Sequence, residues 1–428
     1  MRGRFPRAEV RALLRPQTTA ERNIRNVLID GIGVGIVTGV GTFLSVFLAR
    51  LGASSLLVGL ITSLPALAGA LFGVPIGRFL ERQRNIVPWY SGMRVWVLWS
   101  YAFFGFLPFF IPLEAVPWTV IGIWALVTIP ATFVNVAFTV VMGGVAGPKR
   151  RFYVMSLRWS SLGAVTAITV ATVGQILDRI VFPLNYQLVF IGSFVGGLLS
   201  FIFSRSIELP DNTVSAAPQL KVPLQVRARA AWGAFADHPA FARFAGSSFV
   251  FRSGVAMAIP LFPLYWVNVV QASDAWIGII TTANSAVLLV AYYLWSRAVR
   301  KIGIGGVLIA TSFGIALYPI AAATTGSVVL LAVFAGLVGF FVAGNDLVNF
   351  DLVLSSIPTD RQATYVGVYQ TLQNLALFIM PLVGTLLADA FGLPFALIVA
   401  GVLRLAGAGL YVLLGVGRAQ ATAATEAG

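Results

Sequence analysis

ASSLLVGLITS, residues 53–63, returns as ASDAWIGIITT at residues 272–282. Five positions are identical: Ala53/Ala272, Ser54/Ser273, Gly59/Gly278, Ile61/Ile280 and Thr62/Thr281. The same offset of 219 residues puts Arg78 on Arg297. At an offset of 210, Asn135 falls on Asn345, Pro148 on Pro358, Arg151 on Arg361, and Val173-Gly174 on Val383-Gly384. One such match is weak. Matches at corresponding segments, with one small change of offset, describe a duplicated architecture.

Composition says what is duplicated. Of 428 residues, 58% are hydrophobic and 10% charged, where soluble domains carry about 25% charged residues. Mean hydropathy is +0.89. This is the balance of a polytopic membrane protein. At about 20 residues per span, the length accommodates roughly twelve crossings. The absence of cysteine excludes disulfides, thiolate metal sites and cysteine nucleophiles. His238 is the single histidine, so neither a histidine metal cluster nor a Ser-His-Asp triad is expected. No cofactor or metal is implied, and no enzyme activity.

Apolar runs delimit twelve expected spans: 27–49, 55–77, 88–111, 116–145, 153–177, 184–204, 240–268, 274–296, 304–323, 327–355, 365–388 and 393–416. The expected class is therefore an all-α polytopic membrane protein, with two pseudo-symmetric six-helix bundles at 27–204 and 240–416. A basic segment (1–26), a central loop (205–239) and a tail (417–428) complete it. With the N-terminus inside, the inner side collects 22 of the 29 Lys and Arg residues and the outer side only Arg50 and Arg179. Both termini are thus expected in the cytoplasm, with the chain in the inner membrane. The net charge of +14 reflects this topology rather than nucleic-acid binding. The basic stretch Met1 to Arg25 leads into a full span without an A-x-A-like site, unlike a cleavable signal peptide. It is also a plausible contact for anionic lipid. Within the central loop, RARAAWGAFA (227–236) reads either as a helix on the membrane surface or as a solvated connector.

Twelve spans in two halves, cytoplasmic termini, a long central loop and a basic loop after span 2 resemble the major facilitator superfamily. That family's loop motif runs Gly-x-x-x-Asp-Arg-x-Gly-Arg-Arg/Lys. The stretch here is GVPIGRFLER (73–82): Gly73, Arg78 and Arg82 fit, whereas Gly77, Leu80 and Glu81 depart. The resemblance assigns Gly73, Arg78, Arg82 and the repeat-related Arg297 to a gating loop. The arginine of span 4 and the Gly-Pro pair of span 5 that mark the drug/proton antiporter branch are missing. By the same resemblance, spans 1, 4, 7 and 10 line a central cavity.

Charges inside spans are expensive and are functional candidates by default. The candidates are Asp30, Arg94, Arg158, Arg252, Asp346, Asp351 and Arg404. Asp30, Arg94, Arg158 and Asp351 fall near the cytoplasmic ends, where snorkelling or an ion pair between neighbouring helices also accounts for them. Arg252 and Asp346 lie deeper, with opposite charges at comparable depth, and are expected to pair. Arg404 is on span 12, a peripheral helix in the family. With the cavity spans as a filter, the substrate or proton pathway comprises Asp30, Asn135, Arg252, Asn345, Asp346 and Asn349. GIGVGIVTGVG (31–41) is not a dinucleotide loop, because Ile36 takes the third glycine position. Gly31, Gly35 and Gly39 form a stripe suited to close helix packing. In IPLFPLYW (259–266), Pro260 and Pro263 should break span 7 towards its outer end.

The expectation is a secondary active transporter for a small solute, with protons as a candidate coupling ion. Membrane lipid surrounds it, and it is a monomer unless it joins a larger membrane complex. The alternative is a non-transporting protein of the same fold that delivers a pigment or lipid to such a complex.

Overall fold

A computed structural model describes residues 16–209, 238–357 and 362–416. The basic segment up to residue 15, most of the central loop including 227–236, Arg361 and the tail from 417 lie outside the described residues.

Among the described residues, eleven helices are long and apolar enough to cross a membrane. One of them, Asp274–Ala323, holds two spans. Gly303 breaks it at φ 73° and ψ 169°, a conformation open in practice only to glycine. Twelve spans result, as expected from the sequence. Span 1 is Thr19–Gly41 continued by Leu44–Arg50, span 2 Ser55–Glu81, span 3 Val87–Phe110 and span 6 Leu184–Arg205. Spans 4 and 5 are Val116–Val145 and Val154–Arg179. Span 7 is Pro239–Ala258 with Leu261–Asn268, its break falling at Ile259-Pro260 as the prolines require. Spans 10 to 12 are Val328–Val353, Tyr365–Phe391 and Leu393–Leu413. Gly392, at φ 92°, makes the one-residue connection between the last two.

Two compact units emerge: Met1–Phe47 with Ala68–Ala217, and Leu48–Leu67 with Pro218–Gly428. The outer ends of spans 1 and 2 therefore group with the second unit. Arg50 explains part of this, donating to the Ala272 carbonyl at 2.6 Å and pairing with Asp274 at 3.1 Å. Gly59 explains more: a Cβ there would stand 3.1 Å from Thr385 of span 11.

In the first unit, span 1 starts with a capping box. Thr18 Oγ1 accepts from the Glu21 amide at 3.2 Å, and Glu21 accepts from the Thr18 amide at 3.3 Å. Glycines then set its packing. A Cβ on Gly35 would lie 2.9 Å from the Leu162 carbonyl of span 5, and one on Gly39 2.7 Å from Thr169. One on Gly33 would lie 2.5 Å from the Gly196 carbonyl of span 6. At the cytoplasmic end, Asn23 exchanges two bonds with the Glu208 backbone, at 2.6 and 2.9 Å, tying span 1 to the end of span 6. Span 3 meets span 6 where Gly197 accommodates Trp99.

The second unit repeats these pairings. Span 7 meets span 12 at Gly254 and Gly407, and span 11 at Gly384; span 9 meets span 12 at Gly401. Spans 1/6, 1/5 and 3/6 thus correspond to 7/12, 7/11 and 9/12. The pseudo-symmetry inferred from the repeat is a physical one. Large apolar side chains stay exposed, among them Trp96, Leu126 and Ile168 at 66–71%. Lipid tails solvate such faces as well as a protein core would, and the chain is an integral membrane protein.

Candidate functional site

Asp30 on span 1 is fully buried. Its Oδ1 accepts from Arg94 Nη1 of span 3 and from Ser200 Oγ of span 6 at 2.6 Å. Its Oδ2 accepts from Arg158 Nη2 of span 5 at 3.3 Å. One carboxylate therefore draws three helices onto span 1. Gly31 makes room for this, since a Cβ there would stand 3.2 Å from Arg158 Cγ. Both arginines are buried. Arg94 also donates to the Tyr90 hydroxyl and lies 4.3 Å from the Tyr90 ring centroid. The Arg158 guanidinium lies 4.6 Å from the Phe138 centroid. The Nε atoms of both are buried and have no hydrogen-bond partner.

Beside this cluster is a cavity of about 550 Å³, lined by spans 1, 3, 4 and 5. Arg94, Arg158, Asn135 and Thr38 give it polar groups; Tyr101, Phe138 and Trp159 give it aromatic walls. Gly41 leaves space for the Tyr101 ring, which a Cβ would approach to 2.8 Å.

A smaller cavity of about 220 Å³ lies in the second unit, lined by Arg252, Asp346, Asn349, Tyr369 and Gln370, among others. Arg252 and Asp346 interact electrostatically there. Among the described residues, no ion pair within 4.0 Å joins them. The Tyr369 hydroxyl donates to Asn349 Oδ1 at 3.1 Å.

The structure thus distributes the residues singled out in the sequence. Asn135 lines the larger cavity; Asp30 stands behind its arginines. Arg252, Asp346 and Asn349 share the smaller one. Asn345 turns away from it, buried, and donates to Ser312 Oγ of span 9 at 3.2 Å. Asp351 is exposed on another face. Gly73 has open space around it, Arg78 is half-buried in the last turn of span 2, and Arg82 is exposed. Arg297 is exposed and stacks on Tyr293 at 4.2 Å. Arg404 is buried and donates to the Gly254 and Ile315 carbonyls, at 3.2 and 3.1 Å.

Sequence reasoning admitted an ion pair for Asp30, Arg94 and Arg158 but not the cavity the two arginines line. The available signal was stoichiometry: the apolar runs 27–49, 88–111 and 153–177 carry two guanidinium groups, Arg94 and Arg158, for one carboxylate, Asp30.

Residues 244–427 match the Major Facilitator Superfamily. No curated protein matches the sequence. Solved structures match over nearly the whole chain. The nucleoside transporter NupG aligns at 12% identity and TM-score 0.66, covering 91% of this chain and 98% of its own. A bacterial homologue of the human lysosomal transporter Spinster, inward-facing and unoccupied, aligns at 17% identity and TM-score 0.63, covering 96% and 98%. A POT family transporter in complex with 5-aminolevulinic acid aligns at 11% identity and TM-score 0.71, covering 93% and 96%. Residues 244–427 are thus similar in sequence to the Major Facilitator Superfamily, and the chain as a whole shares the fold of these solved transporters.

Proposed function

We propose that this protein is a secondary active transporter that carries a small solute across the membrane by alternating access of its two halves. The observation behind this reading is the cavity of about 550 Å³ beside a carboxylate and two guanidinium groups in membrane-spanning helices. Its size suits a small molecule. Buried charges of this kind are costly in a membrane and are usually kept for a pathway. The solved structures of similar fold bear the names of transporters for small molecules, which supports the class of activity and not any one solute.

Arg252 and Asp346 form the candidate coupling pair. An ionised carboxylate is favoured beside an arginine and disfavoured in apolar surroundings, so moving Asp346 between the two environments would couple proton uptake to the conformational cycle. Gly73, Arg78, Arg82 and Arg297 are the candidate gate. In this reading the chain sits in the inner membrane with both termini in the cytoplasm.

The reading is tested by a thermal-shift screen of the purified protein against metabolite and drug panels at two pH values, followed by uptake of the hits into proteoliposomes. Stabilisation that is lost in Asp346→Asn would tie solute to proton. The absence of any stabilising ligand at either pH would contradict transport and favour delivery to a membrane complex.

A further inference from the structure

We infer that the cavity of the first unit takes an organic monoanion with an apolar or aromatic body. This rests on the reading above that the cavity is the solute site.

Charge stoichiometry is the first argument. Asp30 supplies one negative charge, Arg94 and Arg158 two positive ones. No other Asp, Glu, Lys, Arg or His lines the cavity. One positive charge is left over in a place where unpaired charge is expensive. A single negative charge on the solute completes the balance, a second would reverse it, and a cation would meet repulsion.

Donor supply is the second argument. A guanidinium has five N–H donors and no acceptor. Asp30 already accepts from Arg94, Arg158 and Ser200. Both Nε donors remain without partners, and both side chains line the cavity. A carboxylate is the group that such donors bind best. Around them the walls are Tyr101, Phe138, Trp159, Leu98 and Leu162, which suit an apolar or aromatic body. The smaller cavity of the second unit, by contrast, is lined by one base and one acid, Arg252 and Asp346, and carries no such surplus.

The test is equilibrium binding by calorimetry on the full-length protein in detergent. The probes are acetate, hexanoate, benzoate and 2-naphthoate, the amide of each, and 2-naphthylmethylammonium. The larger carboxylates are expected to bind about tenfold or more tighter than their amides, the scale of a charge-assisted hydrogen bond. Arg158→Gln makes the cluster neutral and should abolish that preference. The double variant Asp30→Asn/Arg158→Gln restores one surplus positive charge and should regain it. Asn135→Trp leaves the charges in place, fills the cavity and should lose carboxylate binding. The inference is overturned if no carboxylate binds, if amides or the ammonium bind as well as acids, or if Arg158→Gln and the double variant behave alike. Unchanged binding by Asn135→Trp would also overturn it, by placing the site elsewhere. Proteoliposome uptake separates the two readings. A carboxylate preference without uptake removes transport and leaves the inference; uptake of a neutral or cationic solute without that preference does the opposite.

Discussion

Asp30 accepts from groups on three other spans, so its removal strands two buried guanidinium groups at once. Losing one partner of a buried pair costs about 3–5 kcal/mol. Asp30→Leu should therefore lower thermal stability in detergent sharply, and an unchanged melt would show that the cluster does not hold the unit together. Arg404 predicts the opposite. Its partners are carbonyls inside helices, and no carboxylate pairs with it among the described residues. Replacing such a cation by an apolar side chain of similar volume is often neutral or stabilising. Arg404→Met should keep the melting temperature or raise it; a large drop would reveal a counter-charge. The same scale shows where sequence reading stops. Asn345, Asn349 and Asp346, all assigned to the pathway above, lie within about 100° of one another on an ideal helix. In the fold that arc covers two surfaces. Its Asn345 edge meets Ser312 of span 9, while the Asn349 and Asp346 edge faces a cavity. Helical phase gives direction along the arc, and only the neighbouring helix decides where contact ends and cavity begins.

At the level of elements, small residues set how closely the spans approach. A Cβ on Gly33 would sit 2.5 Å from the Gly196 carbonyl and 2.7 Å from the Ser200 amide, both rigid backbone. Gly69 on span 2 has nothing within 4 Å. Gly33→Ala should destabilise the protein by about 1–3 kcal/mol through overpacking. Gly69→Ala should be neutral or slightly stabilising, since alanine favours helix. Comparative melts check both, and equal effects would contradict the packing described. Span number and the break at Pro260 were legible, because the bilayer imposes length and proline removes a donor. The grouping of the outer ends of spans 1 and 2 with the second unit was not. It depends on Arg50 meeting residues 272 and 274, a contact between residues more than two hundred positions apart.

For the whole molecule, the duplicated sequence predicted a duplicated packing scheme, and the helix pairings recur in both halves. The chemistry of the halves does not recur. Asn135 lines a cavity and its repeat mate Asn345 is buried; the cavity of the first half is lined by two arginines, that of the second by one arginine and one aspartate. The repeat carries the topology, whereas the charged groups at the cavities differ between the copies. Orientation is directly testable, because the chain has no cysteine to remove. A membrane-impermeant maleimide should label Glu114→Cys in intact cells and reach Glu81→Cys only after the membrane is opened; the reverse pattern would invert the proposed topology. In the proposed transport cycle the solute sits in the cavity of the first unit. The most direct test is uptake of the tightest-binding carboxylate by proteoliposomes carrying the native protein or Asn135→Trp. Accumulation is expected with the native protein, and none above protein-free liposomes with the folded variant. Equal uptake by the two proteins, or none by the native one, would contradict it.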